Sequence, residues 1–147
     1  MANQYYDQVN NPMIESSLAV WRNYDGLYRL VGSRCTTCQH NFYPKRDACP
    51  LCHQITLESV RFSGNGTIIN IEQDKIPQIT VVGFRNLLPR NIAIIQLDEG
   101  PSIIGEIVDC GHRIPKVGER VHSVLRRLSK SSNQTWKYGI KFLCIEA

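Results

Sequence analysis

Two cysteine pairs constrain this chain more than any other feature. Cys35-Thr36-Thr37-Cys38 and Cys49-Pro50-Leu51-Cys52 are C-x-x-C knuckles separated by ten residues. A C-x-x-C turn aims two thiolates at one point roughly 2.3 Å from a shared ion, and a second knuckle completes a tetrahedron. Four thiolates leave no vacancy for water, so the expected site is structural. Zinc is the expected ion, although a rubredoxin-type iron centre obeys the same spacing logic. A ribbon too small for its own core draws its folding energy from the metal. Redox pairs would call for a thioredoxin-like βαβ context, which the sequence lacks. His40 and His53 flank the knuckles and are expected to be bystanders, since Cys35, Cys38, Cys49 and Cys52 already fill the ligand set.

The rest of the chain bounds where such a ribbon sits. A length of 147 residues allows one average domain or two small modules. No apolar run reaches the roughly 18 residues of a membrane span. The first eleven residues carry no Lys or Arg and lack the n-region and h-region of a secretory signal. Six cysteines in such a chain point to a reducing, cytoplasmic compartment, where paired cysteines hold metal. The remaining two, Cys110 and Cys144, are read as small core residues.

Residues 12–24 read as a helix. Asn11 is a good N-cap and Pro12 suits the first helical position. Ile14, Leu18 and Trp21 share one face, which serves either as core or as a docking surface for a partner subunit. Asp25-Gly26 is expected to stop the helix. Residues 27–34 read as a strand leading into the first knuckle. From Arg61 the texture changes: Gly64 and Gly66 flank a turn at Asn65, and strand patterns follow at 67–72, 81–84, 91–97, 102–108 and 138–145. Residues 120–128 fit a strand better than a basic helix, and 129–134 form a polar loop. The expected organisation is mainly β: a tail and N-terminal helix at 1–26, a metal ribbon at 27–60, and a small five-stranded barrel of the OB kind at 61–147.

The net charge of +4 is uneven along the chain. Residues 1–60 balance, 61–110 carry −2, and 111–147 carry +6. A basic quarter on an OB-type barrel raises the alternative of a single-stranded nucleic-acid-binding module. The aromatics available there are Trp136, Tyr138 and Phe142, and they are not interleaved on a basic strand pair. The bland alternative is a solvated basic face. Catalytic signatures are missing: there is no G-x-S-x-G, H-E-x-x-H, P-loop or G-x-G-x-x-G. Asp98 and Glu99 are adjacent on a strand end and should point apart. His112 and His122 have no evident nucleophile. The chain therefore reads as a binding or scaffolding module without catalytic residues of its own.

The order of elements resembles a known family. Trp21 on a helix precedes Arg34-Cys35-x-x-Cys38, Phe42-Tyr43-Pro44-Lys45-Arg46 and Cys49-Pro50-x-Cys52. Phe62-Ser63-Gly64-x-Gly66-Thr67 and Ile95-x-Leu97-Asp98-Glu99-Gly100 follow. This pattern, over roughly residues 15–125, resembles the DUF35-type proteins, with a rubredoxin-like zinc ribbon and an OB-fold, that accompany thiolase-like enzymes. The resemblance implies a non-catalytic subunit that bridges thiolase-like and ketoacyl-synthase-like partners of an acyl- or acetyl-transferase complex. One branch serves acetoacetyl-CoA thiolase and hydroxymethylglutaryl-CoA synthase; another serves bacterial C-acyltransferases such as the phloroglucinol acetyltransferase complex. An amide-rich composition leans toward the second branch. The sequence departs from the family where Gln39 and His53 replace the Gly after each knuckle and where Pro44-Lys45 replaces a double proline. Residues 73–90 also lack the usual Pro-rich stretch. If a partner holds acyl-CoA, Arg46, Arg61, Arg85 and Arg90 are the candidate phosphate contacts, arginine suiting phosphate through its bidentate fork.

Overall fold

In the computed structural model, the described residues are 17–75, 89–110, 113–130 and 136–145. Ile14, the Asn11 cap, the strand expected at 81–84, Arg85 and His112 lie outside them. Two short helices, α1 (Ser17–Arg22) and α2 (Tyr24–Arg29), open the described chain. They are followed by β1 (Val31–Cys35), β2 (Asn41–Phe42), β3 (Leu57–Arg61), β4 (Asn65–Asp74), β5 (Arg90–Leu97), β6 (Ser102–Ile107), β7 (Arg120–Lys130) and β8 (Trp136–Cys144).

The helix does not stop at Asp25-Gly26. It is interrupted at Asn23 and continues through Gly26 to Arg29, so the stretch expected as strand from 27 begins helical and β1 starts only at Val31. The stop falls on Leu30, whose backbone is left-handed at φ 52°, ψ 44° and whose N–H donates to the Asp25 carbonyl. A leucine there costs about 1 kcal/mol or more. Leu30 tolerates it because its side chain is 2% exposed within the core and its carbonyl accepts the Phe62 N–H at 3.0 Å. Tertiary burial overrides the local glycine signal. The boundary expected at 26/27 therefore falls inside α2.

The first sheet has the order β2-β1-β3, all antiparallel, with Gly32 opposite Val60 and Ser33 opposite both Phe42 and Ser59. The second is a closed barrel in the order β4-β5-β6-β8-β7. β4, β5 and β6 form an antiparallel meander, β7 returns beside β4, and β8 fills the gap, pairing antiparallel with β7 and parallel with β6 at Ile107 and Phe142. This is the five-stranded Greek-key barrel of the OB type. Asn65 and Gly66 already belong to β4, and β7 runs to Lys130, two residues into the segment expected as loop.

Alternation along the strands turns Ile68, Ala93, Ile95, Leu97, Ile107, Val121 and Phe142 inward, each 3% exposed or less. β4 and β7 carry register shifts at 68/70 and 127/129, the kind of bulge that bends a strand around a barrel. A Cβ on Gly105 would stand 2.5 Å from the Phe142 ring, so only glycine leaves room for the largest core side chain. Leu30 and Phe62 belong to this same cluster, with Tyr43 and Val60 packed against it, so the ribbon and barrel share one core.

Two motifs that the sequence only singled out as patterns make the joint. Gly64 sits at φ 83°, where a Cβ would strike Ser123, and its carbonyl accepts the Ser123 N–H at 2.8 Å. The Glu99 carboxylate accepts the Ser63 N–H at 2.6 Å, and its backbone carbonyl accepts the Asn41 amide at 2.8 Å. Asp98 turns the other way and takes a bidentate bond from Arg120 at 2.6 Å. The adjacent acids point apart, as expected, and each closes a different seam.

Candidate metal centre

The centre is built from two turns of the same design. In the first, the Cys35 N–H donates to the His40 carbonyl at 3.0 Å and the Gln39 N–H to the Cys35 carbonyl at 3.0 Å. In the second, the Cys49 N–H donates to the Gln54 carbonyl at 2.8 Å and the His53 N–H to the Cys49 carbonyl at 2.9 Å. Both turns close through a left-handed residue, Gln39 at φ 60° and His53 at φ 59°. These are the positions where the sequence departs from glycine, so each knuckle carries local strain of about 1 kcal/mol. Thr36 ties the first turn to the strand after the second: its N–H and its hydroxyl donate to the Thr56 carbonyl at 3.2 and 3.1 Å.

The four Sγ atoms of Cys35, Cys38, Cys49 and Cys52 lie within 4.8 Å of one another. Cys35 to Cys52 and Cys38 to Cys49 are each 3.5 Å. A tetrahedron with metal–sulfur bonds of roughly 2.3 Å has edges of roughly 3.8 Å, so the donor set fits one ion with little movement. Cys35 and Cys49 are buried, and Cys38 and Cys52 are half-buried. Their acidities split. The Cys38 N–H, against the opposing effect of burial, and then the Thr37 N–H bring Cys35 down to about 6. Cys52 receives a hydrogen bond from the Gln54 N–H, but burial and the thiols of Cys49, Cys35 and Cys38 outweigh it and push it up to about 12. Thiols packed this closely resist losing all four protons without a cation between them, so metal uptake must release protons. His40 Nδ1 lies 3.0 Å from the Cys38 carbonyl oxygen, and among the described residues the clustered ligand set is cysteine alone.

The other candidates disperse. Arg46 and Arg61 are exposed on the ribbon. Arg90 lies at the far end of the barrel: β4 carries the chain from Asn65 to Asp74, the partner of Arg90, roughly 30 Å of strand. Its guanidinium is committed to Glu106 at 2.9 and 3.2 Å, and Lys141, 7% exposed, joins the same carboxylate at 2.8 Å. Four of the eight Lys and Arg of the basic quarter are likewise engaged in ion pairs. Arg120 pairs with Asp98, Arg126 with Asp109, Arg113 with Glu119 and Lys141 with Glu106. Three of those four acids come from the −2 segment, so charge separated along the chain meets across the barrel. Phe142 is fully buried and cannot stack on a base, and Trp136 lies under the Arg127 guanidinium at 5.0 Å. The helical stripe is not core: Leu18 is 50% and Trp21 73% exposed. Sequence reasoning missed one juxtaposition: the Cys110 and Cys144 sulfurs lie 3.7 Å apart. No local motif signals it, because the two are 34 residues apart.

Comparison with known proteins agrees with this geometry. Residues 26–56 match the family model described as ChsH2, rubredoxin-like zinc ribbon domain. The chain is 31% identical over 137 residues to a DUF35 domain-containing scaffold protein of Methanothermobacter thermautotrophicus, covering 88% of this chain and 97% of that one. It is 34% identical over 128 residues to a scaffold protein of the same description from Methanocaldococcus jannaschii, covering 86% and 89%. Among solved structures, a chain described as Ltp2-ChsH2(DUF35) aldolase superposes with a TM-score of 0.66 at 20% identity, over 90% of this chain and 98% of that chain. A DUF35-family protein from Sulfolobus solfataricus superposes with a TM-score of 0.54 at 17% identity, over 97% of each. The four cysteines are thus those of a zinc ribbon, joined to a closed five-stranded barrel, and the chain belongs to the DUF35 family of scaffold proteins.

Proposed function

We propose that this protein is a non-catalytic scaffold subunit that bridges thiolase-like and ketoacyl-synthase-like subunits of an acyl-transferring complex in the cytoplasm. The observation that carries the reading is the amount of large apolar surface left uncovered beside a closed, non-catalytic metal centre. Leu18, Trp21, Tyr24 and Leu27 are 43–73% exposed on α1 and α2. Leu51 and Ile55, by the second knuckle, are 58% and 79% exposed, and Ile104 on the barrel is 73% exposed. Single exposed apolar residues are ordinary, but clusters on a small domain mark docking surface. Relatives described as DUF35 domain-containing scaffold proteins support the same reading. No helix among the described residues is long and apolar enough to cross a membrane.

The ribbon tolerates exposure because its stability comes from the metal and not from a large core. Under this reading Arg46 and Arg61, both exposed on the ribbon and the latter paired with Val31 just after α2, are the candidate contacts for the phosphates of a partner-held acyl-CoA. The test is co-expression with the thiolase-like and ketoacyl-synthase-like proteins of the host. The expected result is a co-eluting complex that Trp21→Ser weakens at least tenfold while zinc content and folding are unchanged. A chain that still runs as a monomer beside both candidates sinks the proposal.

A further inference from the structure

Outside the metal centre, the most pointed cluster of reactive groups sits where the barrel closes. β6 and β8 meet through a single parallel rung among the described residues, Ile107 opposite Phe142, reinforced by the Val108 N–H donating to the Phe142 carbonyl at 2.9 Å. Every other barrel seam is an antiparallel ladder of three or more rungs. Just past that rung, Cys110 in the loop after β6 and Cys144 at the end of β8 bring their sulfurs to 3.7 Å. Both are half-buried and both pack against the barrel core. A disulfide has its sulfurs roughly 2.05 Å apart, so closure needs about 1.7 Å of approach. Side-chain rotation and the loop position of Cys110 can supply that.

We propose that Cys110 and Cys144 form a reversible disulfide that staples the β6–β8 seam, made by exchange with a low-molecular-weight disulfide. In the first step one protein thiol loses its proton to solvent and its sulfur attacks the small disulfide. A mixed disulfide forms, and one small thiolate leaves and takes up a proton. In the second step the other protein sulfur, also deprotonated, displaces the second small thiolate. Two protein thiols are oxidised to one disulfide, and the small disulfide is reduced to two thiols.

The order of attack follows from the surroundings. Burial, then the neighbouring Cys110 thiol and the Glu119 carboxylate, push Cys144 up to about 12, so it stays protonated while Cys110 enters first. Arg113, the cation facing the pair, is held by Glu119 at 2.6 and 2.7 Å. Metal-held thiolates keep some nucleophilicity toward disulfides, so zinc content is followed beside the cross-link.

The experiment incubates the zinc-loaded full chain with oxidised glutathione. The expected product is lighter by two hydrogens, yields a peptide cross-linked between Cys110 and Cys144, retains its zinc and unfolds roughly 5–10 °C higher. Dithiothreitol reverses each change. Cys144→Ser should instead accumulate glutathione on Cys110, whereas Cys110→Ser should react at least tenfold more slowly. The proposal is overturned if Cys110 and Cys144 remain alkylatable after oxidation. It is equally overturned if the cross-link appears only with loss of zinc, or if the cross-linked chain is no more stable than the reduced one.

Discussion

The ribbon and the barrel differ in what is buried. In the barrel, seven inward side chains from five strands, Phe142 at their centre, form an apolar core that needs no ligand. In the ribbon, the fully buried side chains of β1 and the second knuckle are Ser33, Cys35 and Cys49. Ser33 is satisfied by the Arg46 N–H at 3.1 Å, and the cysteines converge on the candidate metal position. Hydrophobic burial of about 25 cal/mol per Å² can hold the barrel, whereas the ribbon must take its stability from thiolate–metal bonds. The comparison explains why apolar surface is exposed where it is. A metal-held element can leave Leu51 and Ile55 uncovered for a partner without losing its own fold, and a barrel cannot spare its inward residues.

The comparison breaks most easily at the metal. Apparent zinc-binding energies in such sites run to about 10–16 kcal/mol, so a strong chelator, or Cys52→Ser, should abolish hydrogen-exchange protection across β1–β3 while β5 and β6 stay protected. If β5 and β6 lose protection together with the ribbon, the shared core at Leu30 and Phe62 couples the two into one cooperative unit. In the barrel, Phe142→Ala should cost about 3–5 kcal/mol in a urea titration and leave zinc stoichiometry unchanged.

Next in size is the charge cluster at the barrel's far end. Glu106→Gln leaves Arg90 and Lys141 without their carboxylate and should cost about 3 kcal/mol, read from the same titration. Burial opposes ionisation of Glu106, but the hydrogen bonds from Arg90 and Lys141 outweigh it and hold the carboxyl below its ordinary range. A lowered folded-state value means that its stabilisation is complete above the unfolded value of about 4.5 and is lost as pH falls through the folded one. Urea midpoints of the wild type should therefore drop more steeply below about pH 4.5 than those of Glu106→Gln. The smallest effect is in the knuckles. Gln39→Gly and His53→Gly should each relieve left-handed strain and stabilise the ribbon by about 1 kcal/mol, seen as slower zinc loss to a competing chelator.

Much of this was legible in the residues, and for a local reason. The ligand set spans 35–52, each knuckle is one turn, and a turn's geometry follows from residue type. The strands at 67–72, 91–97, 102–108, 120–128 and 138–145 were legible because β-branched-rich runs bounded by Pro and Gly turn signals mark strands within a short window. β2 and β3 were not, being short and polar. The helix stop was misplaced because Gly26 carries the usual signal, whereas Leu30 is held left-handed by a core assembled from residues far along the chain. The basic quarter looked like a patch because sequence displays charge along a line, and only strand pairing brings Asp98, Glu106 and Asp109 to Arg120, Lys141 and Arg126.

What the sequence determined by itself was the metal centre, the strand content and the family, since each rests on residue type at short spacing. The tertiary structure decided where the barrel closes and why Ser63-Gly64 and Asp98-Glu99 occur where they do. It also decided that Leu18 and Trp21 face outward and that Cys110 meets Cys144. Those are contacts between residues tens of positions apart. The free energy that selects them comes from burying one shared core, a quantity that no local stretch of the chain contains.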